Sequence, residues 1–218
     1  MTDEIERGSG KIGCVVMASG RSLRYGTNKL LEPLGDKAMI LHVLDHLESA
    51  DLCFALKQPV FSIVVVTGSK EIFELLSEHG YACIIPAGPK KSDTMHAGLR
   101  AFGTPQSGYL FMPGDQPLLC PETISGMAKR FLDHPDRPLR LSYGSTAGSP
   151  VIFPYAMKDR LLSYEGEKGG RALLGPDAFD CFEASYEWEL WDADTPEMME
   201  QLKRVYTSLG TKRRCLTS

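Results

Sequence analysis

Val15-Val16-Met17-Ala18-Ser19-Gly20-Arg21-Ser22-Leu23-Arg24-Tyr25-Gly26-Thr27-Asn28-Lys29-Leu30-Leu31 is a short apolar strand that runs into a loop of small residues and cations. The strand begins at Ile12, and the loop follows at its carboxyl end, where open α/β sheets bind ligands. Glycines and small side chains let backbone N–H groups come close to phosphate oxygens, and Arg24 and Lys29 add the charge that a triphosphate needs. The spacing of Gly20, Arg24, Gly26 and Lys29 is neither the Gly-Lys-Ser/Thr loop of P-loop NTPases nor the Gly-x-Gly-x-x-Gly turn of dinucleotide folds. A solvated glycine-rich surface loop is the ordinary alternative; its place at a strand end favours the phosphate reading.

Around this stretch, apolar β-branched runs alternate with segments of helical period, as in a layered α/β fold with a largely parallel sheet. Strands are expected at 12–17, 61–67, 82–85, 108–112, 139–143 and 149–153, with a last one near 187–191. Helices are expected at 39–49, 69–79, 93–102, 121–132, 155–163, 169–174 and 196–206. Residues 51–58 are the least patterned and carry no visible chemistry. No repeat or linker divides the chain, so a single domain is expected over 12–209, between a flexible N-terminal segment, 1–11, and a flexible C-terminal tail, 210–218.

Composition narrows the function class. The 218 residues are 43% hydrophobic and 24% charged, with a net charge of −4 and a pI near 5.8; one ordinary core is expected, and no global field suited to nucleic acid. Six cysteines stand singly, without Cys-x-x-Cys, which argues against zinc and against a disulfide framework. Reduced thiols, a polar start and no long apolar run lead to the expectation of a cytoplasmic protein that engages no membrane.

Two further strand ends carry carboxylates. Tyr109-Leu110-Phe111-Met112-Pro113-Gly114-Asp115-Gln116-Pro117 would bring Asp115 out at the sheet edge that carries Gly20, where an aspartate can hold a divalent metal against phosphate; an Asp-Gly turn is the alternative. Leu190-Trp191-Asp192-Ala193-Asp194-Thr195-Pro196-Glu197 sets two carboxylates two residues apart, on one face if the chain is extended. Helix capping ahead of Pro196 explains one of them and not both. The five histidines show no ligand spacing, and Trp188 and Trp191, though they could stack on a pterin, read more simply as core aromatics.

Together these features resemble the MobA-like NTP transferases. The first loop is similar to the family's Leu-Ala-Ala-Gly or Leu-Ala-Gly-Gly, x-Ser-x-Arg-Met-Gly-x-x-Lys signature. Gly114-Asp115-Gln116-Pro117 and Asp192-Ala193-Asp194-Thr195-Pro196-Glu197 resemble the molybdenum cofactor cytidylyltransferase, or MocA-like, branch, whereas the guanylyltransferase branch more often has Asn-x-Asn-Thr-Pro. Ala147-Gly148-Ser149-Pro150-Val151-Ile152-Phe153 is similar to the family's Gly-His-Pro-Val-x-Phe. The stretch from Glu165 to Leu174 is similar to its Gly-Asp-Lys-Gly-Ala-Arg-x-Leu-Leu. The resemblance covers about Ile12 to Leu202. It departs from the family at Ser149, at Ala18-Ser19-Gly20 and at Lys90-Lys91-Ser92-Asp93-Thr94, which replaces a Gly- and Ser-rich segment.

The resemblance implies a three-layer Rossmann-like fold with a mostly parallel mixed sheet, of the nucleotide-diphospho-sugar transferase type. It implies a nucleotidyltransferase that moves CMP from CTP to a molybdopterin-type acceptor with Mg²⁺. Guanylyl transfer, transfer to a sugar or alcohol phosphate, and a non-catalytic cofactor carrier for a molybdenum hydroxylase apo-enzyme are the alternatives. Catalytic roles are implied for Arg24, Lys29 and Asp115, and nucleotide contacts for Ala18, Ser19, Gly20, Ser22, Arg24, Lys29, Gly88, Thr94 and Gly114. The metal ligands implied are Asp115 and Asp194, the latter preferred to Asp192 because it directly precedes Thr-Pro. Ser149, Lys168 and Arg171 are the implied acceptor contacts.

Overall fold

The computed structural model of the chain describes residues 10–19, 28–53, 59–167, 173–175 and 178–216. Seven strands form one sheet: β1 (Ile12–Met17), β4 (Phe61–Val66), β5 (Cys83–Ile84), β6 (Gly108–Pro113), β7 (Leu139–Tyr143), β8 (Thr146–Pro154) and β9 (Asp180–Glu183). A small hairpin is made by β2 (Pro33–Leu34) and β3 (Lys37–Ala38). The helices are α1 (Met39–Leu52), α2 (Lys70–Glu78), α3 (Lys91–Ala101), α4 (Pro121–Asp133), α5 (Lys158–Leu162) and α6 (Pro196–Leu216).

Strand order across the sheet is β5-β4-β1-β6-β8-β7-β9. The pairs β1·β4, β1·β6 and β4·β5 are parallel, β8 is antiparallel to both β6 and β7, and β9 is parallel to β7. From β1 the chain builds outward through β4 and β5, then returns to place β6 on the other flank of β1. The carboxyl ends of β1 and β6 therefore border the crevice where strand order reverses, the position at which such sheets bind ligands.

Alternation along β1 decides the layers. Cys14 and Val16 face one cluster with α1, α2, α4 and α6, through Leu44, Ile72, Met127 and Leu202; Val15 faces another with α3 and α5, through Met95, Leu99 and Leu161. A strand buried on both faces reads as a continuous apolar run, which is how Ile12–Met17 is legible in sequence. Each fully buried aliphatic side chain contributes about 1.5–3 kcal/mol. On the second face α3 lies so close that any side chain at Gly98 would collide with the methyls of Val15.

Local signals place the helices. The Ser69 hydroxyl accepts from the Ile72 amide at 3.3 Å to start α2, and Pro121 occupies the first turn of α4. The Asp51 carboxylate accepts the amides of Val60 (2.5 Å) and Phe61 (3.2 Å), which ties the end of α1 to the start of β4; residues 54–58 of the unpatterned stretch lie outside the described residues.

Three expectations differ from the fold. The strand expected near 187–191 is a 3₁₀ turn, Glu187–Leu190, because Glu189 is fully buried and its carboxylate gathers amides that a strand would send to a neighbour. The last strand is instead β9, four residues of which Asp180 and Phe182 are half-buried and Cys181 and Glu183 exposed; it was not expected. The last helix, expected at 196–206, runs on to Leu216. Most of the helix expected at 169–174 lies outside the described residues.

Candidate functional site

The carboxyl end of β1 is strapped to β4. The Ala18 amide donates to the Val66 carbonyl at 2.9 Å, the Ser19 hydroxyl donates to the same carbonyl at 3.0 Å, and the Thr67 hydroxyl donates to the Ala18 carbonyl at 3.1 Å. Ala18 is buried, with its N–H taken up by the Val66 carbonyl, so its amide is not available to a phosphate, and the Ser19 hydroxyl serves as an anchor on β4. Gly20, Ser22 and Arg24 lie outside the described residues.

The chain is described again from Asn28, whose side chain accepts from the Leu30 amide at 3.2 Å and caps a single 3₁₀ turn, Lys29–Leu31. Leu30 is buried in the core, which orients the preceding side chain back over the sheet edge. Lys29 Nζ lies 2.6 Å from Asp115 Oδ2 and 2.6 Å from Asp194 Oδ1. Three segments far apart in sequence thus meet on one amine.

The second wall follows β6. The Gly114 amide donates to the Met17 carbonyl at 3.1 Å, and a Cβ at this position would stand 2.9 Å from Ile40 Cδ1 and 3.2 Å from the Met17 oxygen. Gly114 therefore permits close approach of the β6 end to the β1 end, with its own N–H already paired. The third wall, Asp192 to Asp194, hangs from the second by the Ala193 amide, which donates to the Asp115 carbonyl at 3.2 Å. Thr195 Oγ1 accepts the Met198 amide at 3.2 Å and caps α6.

Electrostatics at the site are those of three carboxylates around one amine. Burial opposes the charge on Lys29, yet Asp115 and Asp194 outweigh it and hold the ammonium above its ordinary range. Asp192 has its carboxyl raised first by burial and then by Asp194 and Asp115, with Lys29 opposing. Asp192, the less favoured of the two aspartates in the sequence, is thus part of the same charged cluster.

The pairing of β6 with β8 ends at Phe111 with Val151, and Ser149 lies two residues before Val151 in β8, in the stretch where β8 shifts register against β7. Gly148 packs against Leu190, where a Cβ would meet Leu190 Cδ2 at 3.0 Å. Gly88 and Thr94 flank the start of α3, the helix that follows β5. There Gly88 abuts the Asp93 carboxylate, which accepts the Lys90 amide at 2.9 Å, and Thr94 is buried. Lys168 and Arg171 lie outside the described residues.

Sequence reading missed Gln116 and Glu189. Gln116 Nε2 donates to the Leu190 carbonyl at 3.2 Å, and Glu189 accepts the amides of Cys120 (3.1 Å), Ser185 (3.0 Å) and Tyr186 (3.1 Å). A polar residue between two apolar ones, Trp188 and Leu190, is the signal that points to Glu189, and the Gly114-Asp115-Gln116-Pro117 string is the one that points to Gln116. Among the described residues no group of three or more His, Cys, Asp or Glu is already arranged as a metal centre, and no helix is long and apolar enough to cross a membrane.

The sequence matches the MobA-like NTP transferase domain over residues 14–181. It is 32% identical over 130 residues to a probable molybdenum cofactor guanylyltransferase of Pyrococcus horikoshii, covering 56% of this chain and 57% of that protein. It is also 32% identical over 127 residues to a 2-C-methyl-D-erythritol 4-phosphate cytidylyltransferase of Pelotomaculum thermopropionicum, covering 55% and 51%. The matches span about half the length of these relatives. Among solved structures, Rv0371c from Mycobacterium tuberculosis is similar in fold, with a TM-score of 0.74 at 21% identity over 89% of this chain and 98% of that one.

Proposed function

This chain belongs to the MobA-like NTP transferase domain family, and from that premise we propose that it is a nucleotidyltransferase acting on a phosphate-bearing acceptor. The observation that carries the reading is Lys29 held between Asp115 and Asp194 at the reversal point of the sheet. An acceptor phosphate oxygen bonds to the α-phosphorus of an NTP, the bond from that phosphorus to the bridging oxygen of the β-phosphate breaks, and pyrophosphate leaves with the electron pair. The attacking oxygen is already anionic at neutral pH, so positioning and charge neutralisation supply most of the acceleration and no strong base is needed.

Lys29, with Arg24 from the same loop, binds the triphosphate. Asp115 and Asp194 would hold Mg²⁺, two carboxylates already gathered on one cation being a suitable donor pair. Both oxygens lie 2.6 Å from one nitrogen, so they are at most twice that, 5.2 Å, apart; two oxygens bound to one Mg²⁺ are separated by up to about 4.2 Å. The Asp194 side chain is 62% exposed and has room to close the difference. Mg²⁺ supplies charge neutralisation at the phosphates when bound. With the ion bound, Lys29 would face phosphate oxygens, and Gly88 and Thr94, at the start of α3, would meet the nucleotide.

We take CTP as donor and a molybdopterin-type phosphate as acceptor. The Asp192-Ala193-Asp194-Thr195-Pro196 string and Ser19 support the cytidylyl reading; the guanylyl alternative draws on the name of the Pyrococcus relative. A thermal-shift series with CTP, GTP, ATP and UTP plus Mg²⁺ tests the donor, because a ligand that binds only the folded state raises the melting temperature. CTP is expected to give the largest rise, and displacement of CTP by an equal concentration of GTP would transfer the assignment to guanine. Pyrophosphate release that requires molybdopterin tests the acceptor; its absence with all four donors would overturn the transferase reading.

A further inference from the structure

Asp194 is the most exposed member of the three-residue contact, so its position depends on how its backbone is held. The segment that carries it has no strand partner: it leaves the 3₁₀ turn Glu187–Leu190 and reaches α6 as extended chain. Its described ties to the β6 wall are the Ala193 amide on the Asp115 carbonyl and the Gln116 side chain on the Leu190 carbonyl. Glu189 anchors the turn itself, on Cys120 at one end and on Ser185 and Tyr186 at the other.

Gln116 follows Asp115 directly, and it is 95% buried, with 5% of its surface exposed. Its Nε2 is spent on Leu190, while its Oε1 is buried with no hydrogen-bond partner among the described residues. A buried amide with one end paired and the other unpaired is a poor stabilising element; an apolar side chain of the same length would pack there without the unmatched carbonyl. What such a chain could not do is hold the Leu190 carbonyl, and with it the approach of the Asp192–Asp194 segment to Asp115. A lysine or arginine would reach as far but would bury a charge.

We propose that Gln116 is a positioning residue: through the Leu190 carbonyl it sets the Asp194 carboxylate against Asp115, so that the two converge on one cation. This rests on the proposed metal-dependent nucleotidyl transfer for its kinetic consequence, and on the geometry alone for its structural one. Gln116 touches neither nucleotide nor metal. Its effect is exerted on the separation of two carboxylates, and partners that orient metal-binding groups typically change metal affinity by about 10- to 100-fold.

The test uses the full chain with Gln116→Met, a side chain of similar length without the donor. The melting temperature is expected to hold or rise. In the crystal structure of the variant, the Lys29 contact to Asp115 is expected to persist while the contact to Asp194 opens beyond 4 Å. Mn²⁺ affinity, read by paramagnetic resonance in the presence of CTP, is expected to fall at least tenfold, and kcat is expected to fall while KM for CTP stays within about threefold. Gln116→Asn, which keeps the donor on a shorter arm, is expected to lie between the two. A Met variant with both Lys29 contacts intact and Mn²⁺ affinity unchanged would overturn the assignment, as would a loss of folding in Gln116→Met together with wild-type Mn²⁺ affinity in Gln116→Asn. Wild-type protein that binds no Mn²⁺ would instead refute the metal reading, and the opening of the Asp194 contact in the crystal would still decide the role of Gln116.

Discussion

Lys29 Nζ and Asp115 Oδ2 lie 2.6 Å apart, which ties the loop after β1 to the loop after β6 across the reversal point of the sheet. Both side chains are largely buried, so the pair is shielded from salt in a way that a surface pair is not. Asp194 closes the same amine from the far end of the chain, 165 residues away.

Lys29→Ala removes the cation and leaves Asp115, Asp192 and Asp194 facing one another. The melting temperature is expected to fall without divalent ions and to recover on adding Mg²⁺, because like charges in one cluster repel until a cation returns. Turnover per unit CTP is expected to fall by about 10²-fold even with Mg²⁺, since a fixed charge facing phosphate is lost. Calorimetry with and without Mg²⁺, followed by pyrophosphate-release kinetics, checks both; a well-folded variant with normal kinetics would remove Lys29 from the site.

Asp115→Asn keeps the shape of the side chain and removes its charge. The expected result is a loss of kcat of about 10²-fold with a much smaller change in CTP affinity, because charge developing during transfer is where the ion contributes most. Normal Mg²⁺-dependent turnover in this variant would leave a binding role for the domain ahead of a catalytic one.

Gly114→Ala tests the close approach of the two strand ends. The new methyl would meet Ile40 Cδ1 at 2.9 Å, the end of a buried side chain, and the Met17 carbonyl oxygen at 3.2 Å, which is backbone held in β1. Overpacking of this kind costs about 1–3 kcal/mol. Urea titration should show a lower midpoint with an unchanged slope, and turnover should drop with it as the β6 end shifts away from Lys29. Unchanged stability would mean that the loop yields where the packing says that it is rigid.

His42 provides the pH test. It is buried on α1, its Nε2 stands 2.6 Å from the Leu34 carbonyl oxygen, and its ring meets Tyr206 edge-on at 4.9 Å. Burial lowers its pKa from the ordinary value of 6.5, more than the Leu34 carbonyl raises it. A histidine depressed in the folded state binds its proton more readily when unfolded, so its stabilising effect is complete above pH 6.5 and is lost as the pH falls through the window below. Melting temperatures recorded from pH 8 down to about pH 5 should decline in the wild type and decline less in His42→Gln; parallel curves would show that other groups carry the acid limb.

What was legible in the chain by itself was local. A continuous apolar β-branched run such as Ile12–Met17 reads as a strand covered on both faces, and the small residues and cations that follow it in sequence read as a loop, so β1 follows from neighbours a few residues apart. The aspartates of the second and third strand ends were legible for the same reason, as carboxylates standing at the ends of apolar runs. Family resemblance, carried by those short strings, pointed to the fold type and to Lys29, Asp115 and Asp194.

The tertiary structure decided what those residues do to one another. No local pattern states that Lys29 sits between two carboxylates, that Ala18 gives its amide to Val66, or that Gly114 gives its amide to Met17. The turn at Glu187–Leu190 shows why. Glu and apolar residues alternate there as in a strand, but Glu189 is buried and takes amides from Cys120, 69 residues away, as well as from Ser185 and Tyr186. A buried charge must be paired, and the groups that pair it are chosen by the folded chain.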